Sequence, residues 1–171
     1  GQYPQDPLSM PPPATPFTAT ARSGWRPRKV AYSADLGITP VDREVAAITR
    51  HAALRLSEAG IPVEEAHPDM REAHECFQIL RALSFATSRA KLLRAHRDLL
   101  KPEVIWNVEK GLALTVDEIT RAEGQRVLLM QRMQKFFETY DLLLCPATIC
   151  SAFPIEQRYL AACAGVEFET Y

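Results

Sequence analysis

Between Arg28 and His67 the chain reads strand, helix, strand, and that order admits few folds. RKVAYS, residues 28–33, lies between Pro27 and Asp35 and has the apolar bias of a strand. IPVEEAH, residues 61–67, returns as a second strand. Thr39 is placed between them as a helix N-cap, with Pro40 at the first helical position and Asp42 adding negative charge to the first turn. Val41, Val45, Ile48, Ala52, Leu56 and Ala59 then recur at steps of three or four, laying one apolar stripe along a helix that Gly60 ends. Two strands joined by such a helix run parallel, because the crossover spans a face of the sheet and brings the chain back to the same end.

The remainder continues the alternation. Asp69 and Glu72 have capping-box spacing before a helix carrying Ala73, Phe77, Leu80, Leu83, Thr87, Ala90 and Leu93, which should end before Pro102. Pro102 opens a short helix through Trp106 that closes at Gly111. Thr115 and Glu118 form a second capping box before a long helix with Ile119, Ala122, Met130, Met133, Phe137 and Tyr140 on its apolar face. DLLLC, residues 141–145, is then a third strand whose unbroken apolar run suits a sheet covered on both faces. The class is α/β, helix-rich with about three strands. Residues 1–27 hold most of the prolines, including Pro11, Pro12 and Pro13, and read as an extended connector ahead of one partial α/β domain over 28–171. The tail, PIEQRYLAACAGVEFETY, offers one helical turn and no clear terminator.

Charge excludes some partners. With 20 basic against 21 acidic residues, no field attracts a phosphate backbone or an anionic membrane surface, so no nucleic acid is indicated. No apolar run approaches the roughly 20 residues of a membrane span, and GQYPQDP lacks the basic end and apolar middle of a signal peptide. A cytoplasmic location is the default expectation. Cys76, Cys145, Cys150 and Cys163 include no CxxC pair and sit mostly among apolar neighbours, which favours reduced packing residues over disulfides or zinc ligands.

Candidate chemistry meets plainer readings at each point. Ser88 and Lys91 have the Ser-x-x-Lys spacing of an acylating pair, but the Ser-Asp-Asn and Lys-Thr-Gly partners are missing, and a solvated helix face explains them. His51, His67, His74 and His96 match no metal or nucleophile pattern and read as surface residues. Glu64, Glu65, Asp69, Glu72 and Glu75 cluster, yet capping explains Asp69 and Glu72 better than acid–base catalysis does. Seven glycines scattered singly provide no phosphate-cradling loop.

Read in order, GQYPQDPLSMPPP, RKVAYSADLG, PVEEAHPD, KPEVIWNVEKGLALT and YDLLLCPATICSAFPIEQRYL resemble the amidase signature family, whose members include amidases and the A subunit of the glutamyl-tRNA amidotransferase. The resemblance implies one α/β/α domain around a mixed sheet. It also implies amide hydrolysis by a lysine and two serines of a Gly/Ser-rich segment, through an acyl-enzyme held by backbone N–H groups. No Gly-Gly-Ser-Ser run occurs here, so no catalytic residue is assigned within the chain, which reads as an interior or late piece of a longer enzyme. In the family a strand like YDLLLCPA leads to loops beside the substrate, and the expected pocket residues are Phe85, Trp106, Cys145, Pro146, Thr148 and Phe153. The implied partner is a small-molecule amide, with no cofactor required and a homo-oligomer compatible. The rival expectation is a non-catalytic α/β interaction module derived from an amidase.

Overall fold

A computed structural model of the chain describes residues 1–168. Its centre is a sheet of three short strands, β1 (Val30–Tyr32), β2 (Val63–Glu65) and β3 (Leu142–Leu144), in the order β2-β1-β3. Both pairings are parallel, with Val30 opposite Val63 on one side and Leu142 on the other. The central strand is sealed: Val30 and Ala31 are 0% exposed and Tyr32 is 4%. A strand with a neighbour on each side and cover on each face wants a continuous apolar run, and VAY supplies one.

The crossover helix α2 (Arg43–Glu58) starts three residues later than the sequence suggests. Its N-cap is Asp42, whose carboxylate accepts from the Glu44 N–H at 2.8 Å, and not Thr39, whose own N–H is held in a turn by the Asp35 carbonyl. The buried stripe moves as well. Ala53 is buried and Val45, Ala46, Thr49 and Leu56 are half-buried, whereas Ile48 is 60% exposed and Ala52 is exposed. The Tyr32 hydroxyl explains the rotation: it donates to the Ala46 carbonyl at 3.1 Å and lies 3.0 Å from the Thr49 hydroxyl, so that face of the helix meets the sheet. Gly60 ends the helix as expected, in the left-handed region at φ 80°.

The second crossover carries three helices, α3 (Ala73–His96), α4 (Pro102–Leu112) and α5 (Val116–Phe137), with one 3₁₀ turn at Arg97–Leu99. The Asp69–Glu72 capping box does not form; Glu72 occupies the cap position without a side-chain bond to its helix. Arginines compete for both carboxylates. Arg71 grips Asp69 at 2.6 Å, and Arg132 of α5 reaches Glu72 and the Asp69 carbonyl. The buried stripe of α3 is Cys76, Ile79, Ala82, Ala86 and Leu93, so Phe77, placed inside by spacing, is 57% exposed.

Gly111 does not stop α4 but lets it approach α3. A Cβ there would run into the Ala82 carbonyl oxygen and lie 2.8 Å from the Ala86 methyl, so two small residues and one glycine define the seam. Beside it Asn107, 2% exposed, accepts from Arg81 at 3.1 Å and donates to the Glu103 carbonyl at 2.8 Å, which offsets its burial. The Thr115–Glu118 box that opens α5 forms with both reciprocal bonds. Along α5, Ala122 is buried and Ile119 and Met133 are half-buried, as is Tyr140 just beyond its end, but Met130 and Phe137 are exposed and Leu129 and Phe136 turn inward instead.

Ion pairs fasten the strand entrances. Arg28 grips Asp141 at 2.8 Å through its guanidinium and again through its backbone N–H, joining the approaches to β1 and β3. This hydrogen bonding holds the Asp141 carboxyl down at about 2, below its usual range. Lys29 and Tyr140 both donate to Glu64, at 2.9 and 3.0 Å, tying the same entrances to β2.

Two further differences concern the ends. Residues 17–22 form a short helix, α1 (Phe17–Arg22), where an extended connector was expected; it buries no residue and has no side-chain cap. The tail forms an antiparallel hairpin, β4 (Ala162–Cys163) and β5 (Val166–Glu167), rather than a helical turn. Ala164 and Gly165 at its tip both have positive φ, 49° and 82°, as a tight hairpin turn demands. The last three residues of the expected tail, 169–171, lie outside the described residues. Among the described residues no helix is long and apolar enough to cross a membrane.

Candidate functional site

The second crossover brings the chain from β2 past β1 to β3, so strands following one another in sequence lie on opposite sides of the centre. In open α/β sheets the crevice beyond the carboxyl ends of strands at such a reversal is where ligands bind. Here that crevice is built by the loops that leave β1 and β3.

The loop after β1 is Ser33-Ala34-Asp35-Leu36-Gly37. Ser33 accepts the Leu36 N–H at 2.9 Å and Asp35 accepts the Gly37 N–H at 2.7 Å. These bonds hold two successive residues left-handed, Leu36 at φ 54° and Gly37 at φ 70°. At the second, glycine is favoured both by its φ and because a Cβ would lie 2.5 Å from the His67 ring. His67 is exposed, the surface residue its neighbours suggested, and its Nδ1 lies 2.9 Å from the Pro68 carbonyl. A carbonyl only accepts, so Nδ1 carries the proton in that contact.

The loop after β3 is joined to the first one at two points. The Ser33 N–H donates to Leu144 at 2.9 Å, extending the ladder, and the Asp42 N–H donates to the Ile149 carbonyl at 2.8 Å. That carbonyl also accepts from the Cys163 thiol at 3.4 Å, so the hairpin packs on the same loop. Thr148 donates its hydroxyl to the Cys150 carbonyl at 2.9 Å, which commits its proton to shaping the loop.

Two hollows flank the β1 exit. One, of about 100 Å³, lies between the two loops and is lined by Leu36, Val41, Cys145, Pro146, Thr148 and Ile149. The other, about 700 Å³, opens between α2 and β2 against Ser33, Ala47, Arg50, Glu65, Ala66 and His67. Ala34 and Asp35 border both, so they meet at the β1 exit. The larger volume falls within the usual span of small-molecule pockets, about 300–1,000 Å³.

Of the six residues expected at a pocket, Cys145, Pro146 and Thr148 come together in the smaller hollow. Phe85 lies on α3 with the Arg89 guanidinium 4.5 Å from its ring centre, and Trp106 lies on α4 with the Lys110 ammonium at 4.9 Å. Both belong to the helical layer and line neither hollow. Phe153, 40% exposed, sits farther along the β3 loop. Spacing gave no sign of Asp35, Leu36, Arg50, Glu65 or His67. Their signal was topological: whatever follows one parallel strand faces whatever follows its neighbour.

The remaining polar candidates take structural roles. Ser88 donates to the Ser84 carbonyl at 2.7 Å and accepts from Arg89, so no serine–lysine relay forms with the exposed Lys91. Each member of the acidic cluster has a cation: Glu64 with Lys29, Glu65 with Arg50, Asp69 with Arg71, Glu72 with Arg132 and Glu75 with Arg121. For Glu64, Asp69, Glu72 and Glu75 the hydrogen bonds they accept lower the carboxyl below its usual range, which holds it charged and makes it a poor general acid. All four cysteines are free thiols, with Cys76 and Cys163 buried.

A family model described as Amidase matches residues 1–165. An acylamidase from Rhodococcus erythropolis is 27% identical over 157 residues, which take in 89% of this chain and 32% of that protein. Among solved structures, a bacterial aryl acylamidase belonging to the amidase signature enzymes superposes with a TM-score of 0.75 at 20% identity, over 91% of this chain and 35% of that one. An amidase does so with 0.70 at 22% identity, over 78% and 31%. A 6-aminohexanoate cyclic dimer hydrolase does so with 0.65 at 17%, over 82% and 31%. The chain thus spans about a third of the length of the relatives it matches.

Proposed function

The chain belongs to the amidase family, and from that premise we propose that it is part of a cytoplasmic amidase-type hydrolase that splits a carboxamide into acid and amine. The family match over residues 1–165 carries this reading. The similarity to an acylamidase and an aryl acylamidase favours an N-acylated amine as the substrate class.

In the proposed reaction a serine attacks the amide carbonyl with a lysine-assisted relay as base, the amine departs with a proton, and water releases the acid from the acyl-enzyme. The developing oxyanion needs preorganised backbone N–H donors. The serine, the lysine and those donors lie outside these residues, because the sequence contains no Gly/Ser-rich run and its one Ser-x-x-Lys pair is engaged with its own helix. This chain supplies a wall. Cys145, Pro146 and Thr148 present sulfur, ring and methyl to one side of the substrate, while the left-handed turn at Leu36–Gly37 fixes the other side. Thr148 shapes the wall and transfers no proton, its hydroxyl being spent on the Cys150 carbonyl.

The test uses the gene product that contains this chain with its flanking sequence. It should hydrolyse an acylanilide, lose at least a thousandfold in kcat when its nucleophilic serine is replaced by alanine, and yield an acyl-hydroxamate when hydroxylamine intercepts the acyl-enzyme. Turnover indifferent to that serine, or catalysis by residues 1–171 purified alone, would refute the reading.

A further inference from the structure

The Cys163 sulfur lies 3.4 Å from the carbonyl oxygen of Ile149, the residue immediately before Cys150. One peptide unit separates that oxygen from the Cys150 Cα, which therefore lies within about 6 Å of the Cys163 sulfur by standard backbone dimensions. The two residues stand on different pieces of chain: Cys150 on the loop after β3, partly exposed, and Cys163 on the hairpin strand β4, buried. A disulfide requires Cα atoms roughly 4.4–6.8 Å apart. The separation here puts the pair within reach of that geometry by a Cys150 rotamer change and a loop shift of at most about 2 Å. The other two cysteines differ in setting. Cys76 is packed against the Ala122 carbonyl between α3 and α5, and Cys145 lines the hollow at the β3 exit.

We propose that Cys150 and Cys163 are a reversible thiol–disulfide pair that, under oxidising conditions, fastens the β3 loop to the β4–β5 hairpin. With oxidised glutathione as oxidant, the accessible Cys150 thiolate attacks one glutathione sulfur, forms a mixed disulfide and expels one glutathione thiolate. The Cys163 thiolate then attacks the Cys150 sulfur and expels the second. The sum is two protein thiols and one glutathione disulfide giving one protein disulfide and two glutathione thiols, so electrons and protons balance. Burial raises the Cys163 thiol above its ordinary range, with the charges of Cys150 and Asp42 adding and the Asp42 N–H opposing. The second step is therefore the slow one, and its rate rises with pH. Once closed, the bond fixes the loop that runs from Cys145 to Cys150. A consequence for turnover rests on that loop being a pocket wall, as proposed above.

The experiment is incubation of the folded protein with oxidised glutathione, followed by intact-mass measurement, thiol titration and peptide mapping. The expected result is a loss of about 2 Da, the two thiol hydrogens, with a loss of two titratable thiols, those of Cys150 and Cys163. A single cross-link should join the peptides holding Cys150 and Cys163, and dithiothreitol should reverse it. Cys150→Ser should abolish it and Cys145→Ser should not; because Cys150 is not buried, the first variant keeps the test independent of any folding defect in Cys163→Ser. A mixed disulfide that persists on Cys150, a cross-link through Cys145 or Cys76, or no mass change would overturn the proposal. These readouts need no amidase assay. If the cross-link forms while acylanilide turnover in the longer gene product is unchanged by it, the reading of the loop as a pocket wall fails and the redox pair stands.

Discussion

The seam between α3 and α4 and the loops beyond β1 and β3 are held together in different ways, and they should tolerate change differently. At the seam Gly111 rests on the Ala82 carbonyl, Val108 is 0% exposed and Asn107 has its amide bonded on both sides. At the strand exits the loops are joined by scattered hydrogen bonds beside open hollows, such as those from Asp42 and Cys163 to Ile149. Close packing leaves a side chain no room to vary, whereas a loop held by backbone bonds can change its side chains and keep its path. The seam fixes the layer; the exits are free to specialise.

The contrast is broken most severely at Gly111. Gly111→Ala should lower unfolding free energy by about 1–3 kcal/mol, since the new methyl meets backbone rather than a movable side-chain end; urea denaturation measures it, and a neutral result would mean that the seam is looser than its geometry. Next in size is the helix start that borders it: Thr115→Ala removes the reciprocal cap of α5 and should cost about 1 kcal/mol by the same measurement. Gly124 sharpens the comparison from the other side. It lies within α5, and a methyl added there would meet no atom within 4 Å, so Gly124→Ala should stabilise by about 0.5–1 kcal/mol.

Two carboxylates, Asp141 at the entrance to β3 and Asp69 beyond the exit of β2, give a pH signature. Asp141 and Asp69 are both held at about 2, chiefly by hydrogen bonds from Arg28 and Arg71 respectively. A carboxylate depressed in the folded state adds stability above its unfolded pKa, near 3.8, and loses it as pH falls toward 2. Melting temperature should therefore decline between about pH 4 and 2, and Asp141→Asn should make that decline shallower by lowering the melting temperature at neutral pH while changing little near pH 2. The smallest expected effect is at the exits. Cys145→Ala should shift stability by less than about 0.5 kcal/mol while altering the preference of the longer gene product among acyl groups, read as a ratio of kcat/KM values.

Legibility in the sequence followed the range of the forces involved. The Thr115–Glu118 cap, the proline that opens α4 and the run LLL of β3 are local devices, and each stands where the residues put it. The Asp69–Glu72 box has the same spacing as the first but failed, because Arg132, some sixty positions downstream, offers Glu72 a charged partner that a backbone N–H does not match. Likewise Phe77 matches the helical period but not the seam, whose buried line through Cys76, Ile79 and Ala82 is set by the approach of α4. The Ala164–Gly165 turn was readable in principle, as a small residue followed by glycine between short apolar pairs, but the alanines before it suggested a helix. For the site, YDLLLCPAT gave three residues that gather at one hollow, while Phe85 and Trp106 were chosen for aromatic character and went to the helical layer beneath arginine and lysine. Aromatic side chains are large enough to be wanted wherever apolar area is to be covered, so their presence says little about which cavity they serve.

The place of β1 between two strands so unequally distant in sequence sets a timetable for the ribosome. Val30 can meet Val63 soon after the intervening helix emerges, but its other flank waits until Leu142 has been translated. At about 5–20 residues per second that interval lasts several seconds. During it the nascent chain displays one unpaired strand flank, a natural place for a chaperone to hold on.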